Sequence, residues 1–365
     1  MKLLCSLLAV TLSVSAQTIS SPVVIKGEGC PLVAFLQFSP DGSELARACA
    51  FGPFQLFATT TYDKSLTFRS EVDYTPALNS FAFSPDGKTM ATAGYKGALI
   101  WKTDDPGKPV QLGKPLKPFF GVDEVYALDK PLHVLEPPPP SSDEFAKVLS
   151  VDYSPDGKFI LTKHHNGHVK IWNASTWTLQ SELTVGVKGN SILFTALAIA
   201  PDSKSFVIGD ENGLLHIWNL DSKSETRTVP SPGGMVHITH LTFSPDGKIL
   251  VAIHQGKTFF DAVAMLWNTA DWTAHSMPGY GAAAFSPDGQ MLALGGRDIK
   301  LLDPASRQEL RTIKAPTITR GEVLRPGPDA DRELPYSISA LALSPDGATV
   351  AIGCPGSVRV LNLKP

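Results

Sequence analysis

Three side chains that could bind a metal or a small ligand, His164, Asp210 and His254, occupy one position of a repeated pattern. Each lies nine residues after a turn proline, and the same count in the other copies gives Cys49, Gly94, Gly296 and Cys354. Imidazole nitrogen and carboxylate oxygen are ligands that zinc holds at about 2 Å, so inward-turned side chains in consecutive copies could share an ion. The competing reading is that they are polar residues next to turns, facing water. A second acidic set, Asp329, Asp331 and Glu333, has the alternate spacing of a calcium loop. It lacks the glycine and terminal carboxylate that complete the usual cage, and a solvated loop explains it as well. Other chemistry is absent from the text: there is no phosphate-cradling Gly-rich loop with a following Lys, no His-Glu-x-x-His and no Gly-x-Ser-x-Gly. Gly279 to Ala284 imitates a dinucleotide fingerprint, but it leads into a strand where the mechanism requires it to follow one and open a helix.

What would position such a ring is a stretch written seven times, a version of Ser-Pro-Asp-Gly after an apolar alternating run: Phe38 to Gly42, Phe83 to Gly87, Tyr153 to Gly157, Ile199 to Ser203, Phe243 to Gly247, Phe285 to Gly289 and Leu343 to Gly347. Proline sets φ, Asp bonds back to the local backbone and Gly accepts φ > 0, so each copy predicts a hairpin turn. The prolines stand 45, 70, 46, 44, 42 and 58 residues apart, a base period near 44 with two insertions, residues 117–147 and 315–337. That period belongs to a four-stranded unit. Because the second strand lies one spacing of about 4.8 Å out from the innermost, neighbouring ring positions would stand roughly 8–10 Å apart.

Several units close on Ile100-Trp101, Ile171-Trp172, Ile217-Trp218 or Leu266-Trp267. Here the chain resembles the tryptophan-aspartate (WD) repeat family from residue 22 to residue 365. The resemblance implies a seven-bladed β-propeller of four-stranded antiparallel blades. The family's Asp is replaced by Lys102, Asn173, Asn219 and Asn268, and its Trp by Phe57, Leu302 and Leu361 in the first, sixth and seventh copies. The last unit ends one strand early. Val23-Val24-Ile25-Lys26 is placed to supply the missing strand by pairing with Val358 to Leu361, which would close the ring and cover its free edge.

Met1-Lys2, an apolar run from Leu3 to Val14 and Val14-Ser15-Ala16 read as a secretory signal cut after Ala16. The run falls short of the roughly 20 residues that span a bilayer, and no later segment is a transmembrane candidate. Residues 17–365 then form one propeller domain. Removing Lys2 takes the formal charge from −3 to −4, with no basic stripe, which argues against nucleic acid and anionic membrane. Export permits disulfides, and the odd set Cys30, Cys49 and Cys354 clusters near the seam of the first and last blades, either bridged or as buried thiols.

The reading that follows is a secreted or periplasmic, monomeric, non-catalytic scaffold for a protein partner, with no cofactor. A propeller hydrolase or lactonase, or a metal or small-ligand binder at the channel mouth built on His164, Asp210 and His254, is the alternative. The expected working face carries the loops before each first strand and after each second strand, because the turns of the other face are short and uniform. Both insertions are expected on that face, the first between a fourth strand and the next blade. With 256–263 they gather Phe119, Phe120, Tyr126, Phe259, Phe260 and Tyr336 there.

Overall fold

A computed structural model of the chain describes residues 22–26, 30, 32–49, 54–68, 78–94, 97–103, 133–135, 148–164, 167–185, 196–210, 212–235, 237–255, 261–315, 317–318 and 338–363. The alternating runs form strands, beginning with β1 (Val23–Lys26). Blade 1 is β2 (Val33–Phe38), β3 (Glu44–Cys49), β4 (Phe54–Ala58) and β5 (Lys64–Phe68). Blade 2 is β6 (Leu78–Phe83), β7 (Thr89–Gly94), β8 (Gly97–Lys102) and β9 (His133–Val134). Blade 3 is β10 (Val148–Tyr153), β11 (Phe159–His164), β12 (His168–Asn173) and β13 (Leu179–Thr184). Blade 4 is β14 (Leu197–Ile199), β15 (Ser205–Gly209), β16 (Leu214–Asn219) and β17 (Ser224–Pro230). Blade 5 is β18 (Ile238–Phe243), β19 (Ile249–His254), β20 (Val263–Asn268) and β21 (Ala274–Pro278). Blade 6 is β22 (Ala282–Phe285), β23 (Leu292–Gly295), β24 (Asp298–Leu302) and β25 (Glu309–Lys314). Blade 7 is β26 (Ala340–Leu343), β27 (Thr349–Cys354), β28 (Ser357–Asn362) and, as its outer strand, β1.

The result is a seven-bladed antiparallel β-propeller with no α-helix among the described residues. Among them, no helix is long and apolar enough to cross a membrane. Burial falls outward within a blade. In blade 3 the second strand β11 is buried from Ile160 to His164, whereas the outer strand β13 is mostly exposed. Inner strands are covered on both faces by neighbouring blades, so they read as near-continuous apolar runs. Outer strands have solvent on one side and admit polar residues.

The turns hold themselves. In blade 2, Ser84 Oγ donates to Asp86 Oδ1 at 2.7 Å, Thr89 N–H donates to Ser84 Oγ at 2.9 Å, and Lys88 N–H donates to Asp86 Oδ1 at 3.1 Å. Gly87 has φ +70, which a side chain would make costly. A Cβ added there would stand 3.7 Å from Pro40 of the preceding turn, and one on Gly42 would stand 3.4 Å from Pro345, so these turns also pack on one another, as do those at Gly247 and Gly289.

Closure is as expected: Val23 pairs with Val360 and Ile25 with Val358, and Ile25 is buried. Arg47 of blade 1 is fully buried, lies 5.0 Å from the Phe57 ring and donates to the Lys26 carbonyl of β1 at 3.3 Å. Cys30 and Cys49 form a disulfide that ties the segment after β1 to the end of β3, while Cys354 is a buried thiol outside that bridge.

The expected place of the first insertion is corrected. The fourth strand of blade 2 is β9, His133–Val134, paired with Ile100 and Leu99. Residues 103–132 therefore join the third strand to the fourth, leaving from the end of β8 that pairs with Thr89 beside the Ser-Pro-Asp-Gly turn. Only residues 135–147 join the fourth strand to the next blade. Spacing from the turn proline constrains the first three strands and says nothing of an outer strand held on one edge only. Phe119, Phe120 and Tyr126 thus belong by chain order to a connection of the turn face, whereas 256–262 and 315–339 join strands across the opposite face, as expected.

Candidate functional site

His164, Asp210 and His254 stand at the same ends of the second strands in blades 3, 4 and 5, and all three are buried. Each is engaged differently. In blade 3 the indole of Trp172 donates to Thr162 Oγ1 at 2.9 Å, and that hydroxyl also bonds His164 Nε2 at 2.9 Å. Trp101 and Thr92 repeat the first of these bonds in blade 2, again at 2.9 Å. Burial pushes the His164 imidazole down to about 3, so it stays neutral at physiological pH. The chain of bonds ties the third strand of the blade to the end of the second.

Asp210 closes a turn. Its Oδ1 accepts the N–H of Asn212 at 2.9 Å and of Leu214 at 2.6 Å. Burial opposes ionisation, but His216, these amides and the Asn212 side chain hold the carboxyl below the usual carboxylate range. His216 has Asp210 at 3.7 Å and Glu225 at 2.8 Å, and Asp210 first, then Glu225, raise its pKa against burial. Lys163 is buried and donates to the Gly209 carbonyl of the next blade at 3.0 Å. Burial lowers it to about 8, with Asp210 acting in the opposite sense. His254 Nε2 bonds Ser231 Oγ at 3.0 Å and so links blade 5 to the segment that follows blade 4.

The ring is thereby divided among local bonds within blades and across seams. Among the described residues, no group of three or more His, Cys, Asp or Glu side chains is placed to hold a metal ion. Phe119, Phe120, Tyr126, Phe259, Phe260 and Tyr336, like Asp329, Asp331 and Glu333, lie outside the described residues. Thr162 and Lys163 escaped the sequence reading, although both left a signal. Thr162 and Thr92 each stand seven residues after a turn proline, and Lys163 is a lone cation inside an apolar second strand.

The architecture and the phased turns define the class: a seven-bladed β-propeller built from sequence repeats. The profile of the WD domain, G-beta repeat matches residues 130–173, from the outer strand of blade 2 through the third strand of blade 3. Over 261 residues the chain is 21% identical to the target of rapamycin complex subunit LST8 of Bos taurus, covering 67% of this chain and 70% of the relative. The Mus musculus protein of that name is 20% identical over the same coverage. A shorter stretch of 112 residues, 29% of this chain and 9% of the relative, is 32% identical to the apoptotic protease-activating factor 1 of Homo sapiens. By its blades, turns and these likenesses together, the chain is a seven-bladed β-propeller similar to WD-repeat proteins.

Proposed function

We propose that the protein is an exported, monomeric, non-catalytic platform that holds a protein partner on the face opposite the Ser-Pro-Asp-Gly turns. The observation that carries this reading is how the turn face is used. Six of the seven turns satisfy their own serine and aspartate, and four pack a glycine against a neighbour's proline, as Gly87 does against Pro40 and Gly42 against Pro345. By chain order the longest connection, 103–132, belongs to the turn face; on the opposite face 256–262 lengthens one link between second and third strands and 315–339 one link between blades, and these two contain Phe259, Phe260 and Tyr336, side chains of the kind that anchor interfaces. That LST8 is named as a subunit of a complex supports a partner-binding role. Export is supported by the leader pattern of residues 1–16 and by the Cys30–Cys49 bridge, since structural disulfides persist in oxidising compartments.

The test is capture from the envelope fraction of the parent organism with the mature chain as bait. Phe259→Ser, Phe260→Ser and Tyr336→Ser together should lower recovery of a stoichiometric partner at least about tenfold, the loss of one good anchor. Lys88→Glu with Lys158→Glu on the turn face should leave recovery unchanged. The reverse pattern would show that the wrong face has been chosen.

A further inference from the structure

The first strands of all seven blades surround a central chamber of about 550 Å³. Phe35 of blade 1 and His240 of blade 5 meet across it with ring centroids 6.4 Å apart, bridging the bore away from the Ser-Pro-Asp-Gly turns. From there it runs to Ser39, Pro40, Pro287 and Pro345, residues of the turns of blades 1, 6 and 7, so its mouth is on the turn face. The walls mix apolar side chains such as Phe35, Leu197 and Leu341 with Gln37, Ser150 and Thr242, and no lysine or arginine lines them.

We propose that this chamber binds a small organic cation, an alkylammonium or arylammonium, which enters between the turns of blades 6, 7 and 1 and takes Asp152 as its counterion. Asp152 lies in the wall on blade 3, where its Oδ2 accepts the Ile199 N–H at 3.3 Å. Burial pushes its carboxyl up to about 7 against that bond and the Tyr153 amide, the signature of a carboxylate short of compensating charge. His240, the other titratable group of the wall, is pushed by burial down to about 4 and adds no competing positive charge at neutral pH. The volume falls within the roughly 300–1,000 Å³ of ordinary ligand sites, and walls of mixed apolar and neutral polar groups around one carboxyl suit an amine with a small organic body.

The mouth points to the same sign of charge. In blades 2 to 5 the residue after the turn is Lys88, Lys158, Lys204 or Lys248. Lys88, Lys158 and Lys248 lie 3.8, 3.0 and 3.1 Å from Asp86, Asp156 and Asp246. In blades 1, 6 and 7 that position holds Ser43, Gln290 and Ala348, so Asp41 and Asp288, next in the chain to the mouth residues Pro40 and Pro287, have no lysine two residues on. A negative rim around a low-dielectric bore concentrates cations at the entrance.

Cyclohexylammonium and its neutral isostere cyclohexanol, titrated calorimetrically into the full mature chain, test the idea. The ammonium should bind and the alcohol should bind at least about tenfold more weakly. Asp152→Asn should weaken the ammonium by at least about tenfold. Ser43→Lys with Gln290→Lys, exposed changes that copy the lysines of the other blades, should weaken it about threefold at low salt and less at high salt. Equal binding of the alcohol, or an unaltered affinity in Asp152→Asn, overturns the proposal. Should Asp152→Asn fail to fold, the lysine pair decides: no change at low salt overturns it.

Discussion

At the seam of blades 3 and 4 the chain runs directly from one blade into the next. Two polar bonds cross from blade 3 to the next first and second strands, Asp152 to the Ile199 amide at 3.3 Å and Lys163 to the Gly209 carbonyl at 3.0 Å. At the seam of blades 7 and 1 the two ends of the ring meet instead, and three more devices appear: β1 added to the edge of β28, the Cys30–Cys49 bridge behind it, and buried Arg47 reaching the carbonyl of Lys26. Ser339 Oγ also donates across to the Val33 carbonyl at 2.7 Å. Blades joined by continuous chain are held by packing and a few bonds. Where continuity is missing, an open edge strand must be paired and the loose segment restrained.

Removing the closing strand should have the largest effect. A chain lacking residues 1–28 loses Ile25 from the core and exposes the edge of β28. Its melting temperature should drop by roughly 10 °C as one cooperative event. An unchanged midpoint, or a small separate transition with the main one in place, would show that the ring does not depend on β1. Next comes the bridge, which closes a loop of 19 residues. Cys30→Ser with Cys49→Ser should cost about 3 kcal/mol in chemical denaturation. The same pair should leave an Asp152→Asn background equally affected, because the two seams lie in different parts of the ring.

The smallest effect belongs to the regular seam and depends on pH. Asp152 has a folded pKa near 7, above its ordinary 3.8, so the folded state binds the extra proton. Its contribution to stability therefore falls as pH rises from about 4 to 7 and stays low above that. Asp152→Asn should be more stable than the parent at pH 8 by roughly 1–2 kcal/mol, a figure reduced for water reaching the bore, and the gap should close by about pH 4. A gap that does not vary with pH would show that the carboxyl is not confined as described.

Much of this was legible because it is local. Ser-Pro-Asp-Gly bonds to itself, so its seven copies state the number and phase of the hairpins without reference to distant residues. The closing partner of blade 7 could be read because a missing strand and an unassigned Val23-Val24-Ile25-Lys26 imply one another. The fate of residues 117–147 was not legible, since the outer strand of blade 2 is only His133–Val134, too short to carry an alternation. The ring of His164, Asp210 and His254 was found by phase, but phase locates a backbone position and leaves the side chain's partner open.

By itself, then, the sequence determined the blade count, the strand phase and the closing strand, all consequences of short-range turn chemistry and periodicity. Only the tertiary structure decided which two of Cys30, Cys49 and Cys354 are joined, and that Phe35 meets His240 from blades far apart in the chain. It alone placed Asp152 in a chamber lined by no lysine or arginine. Those outcomes depend on how seven sheets pack around an axis, and curvature of that kind brings together residues whose separation in sequence carries no record of it.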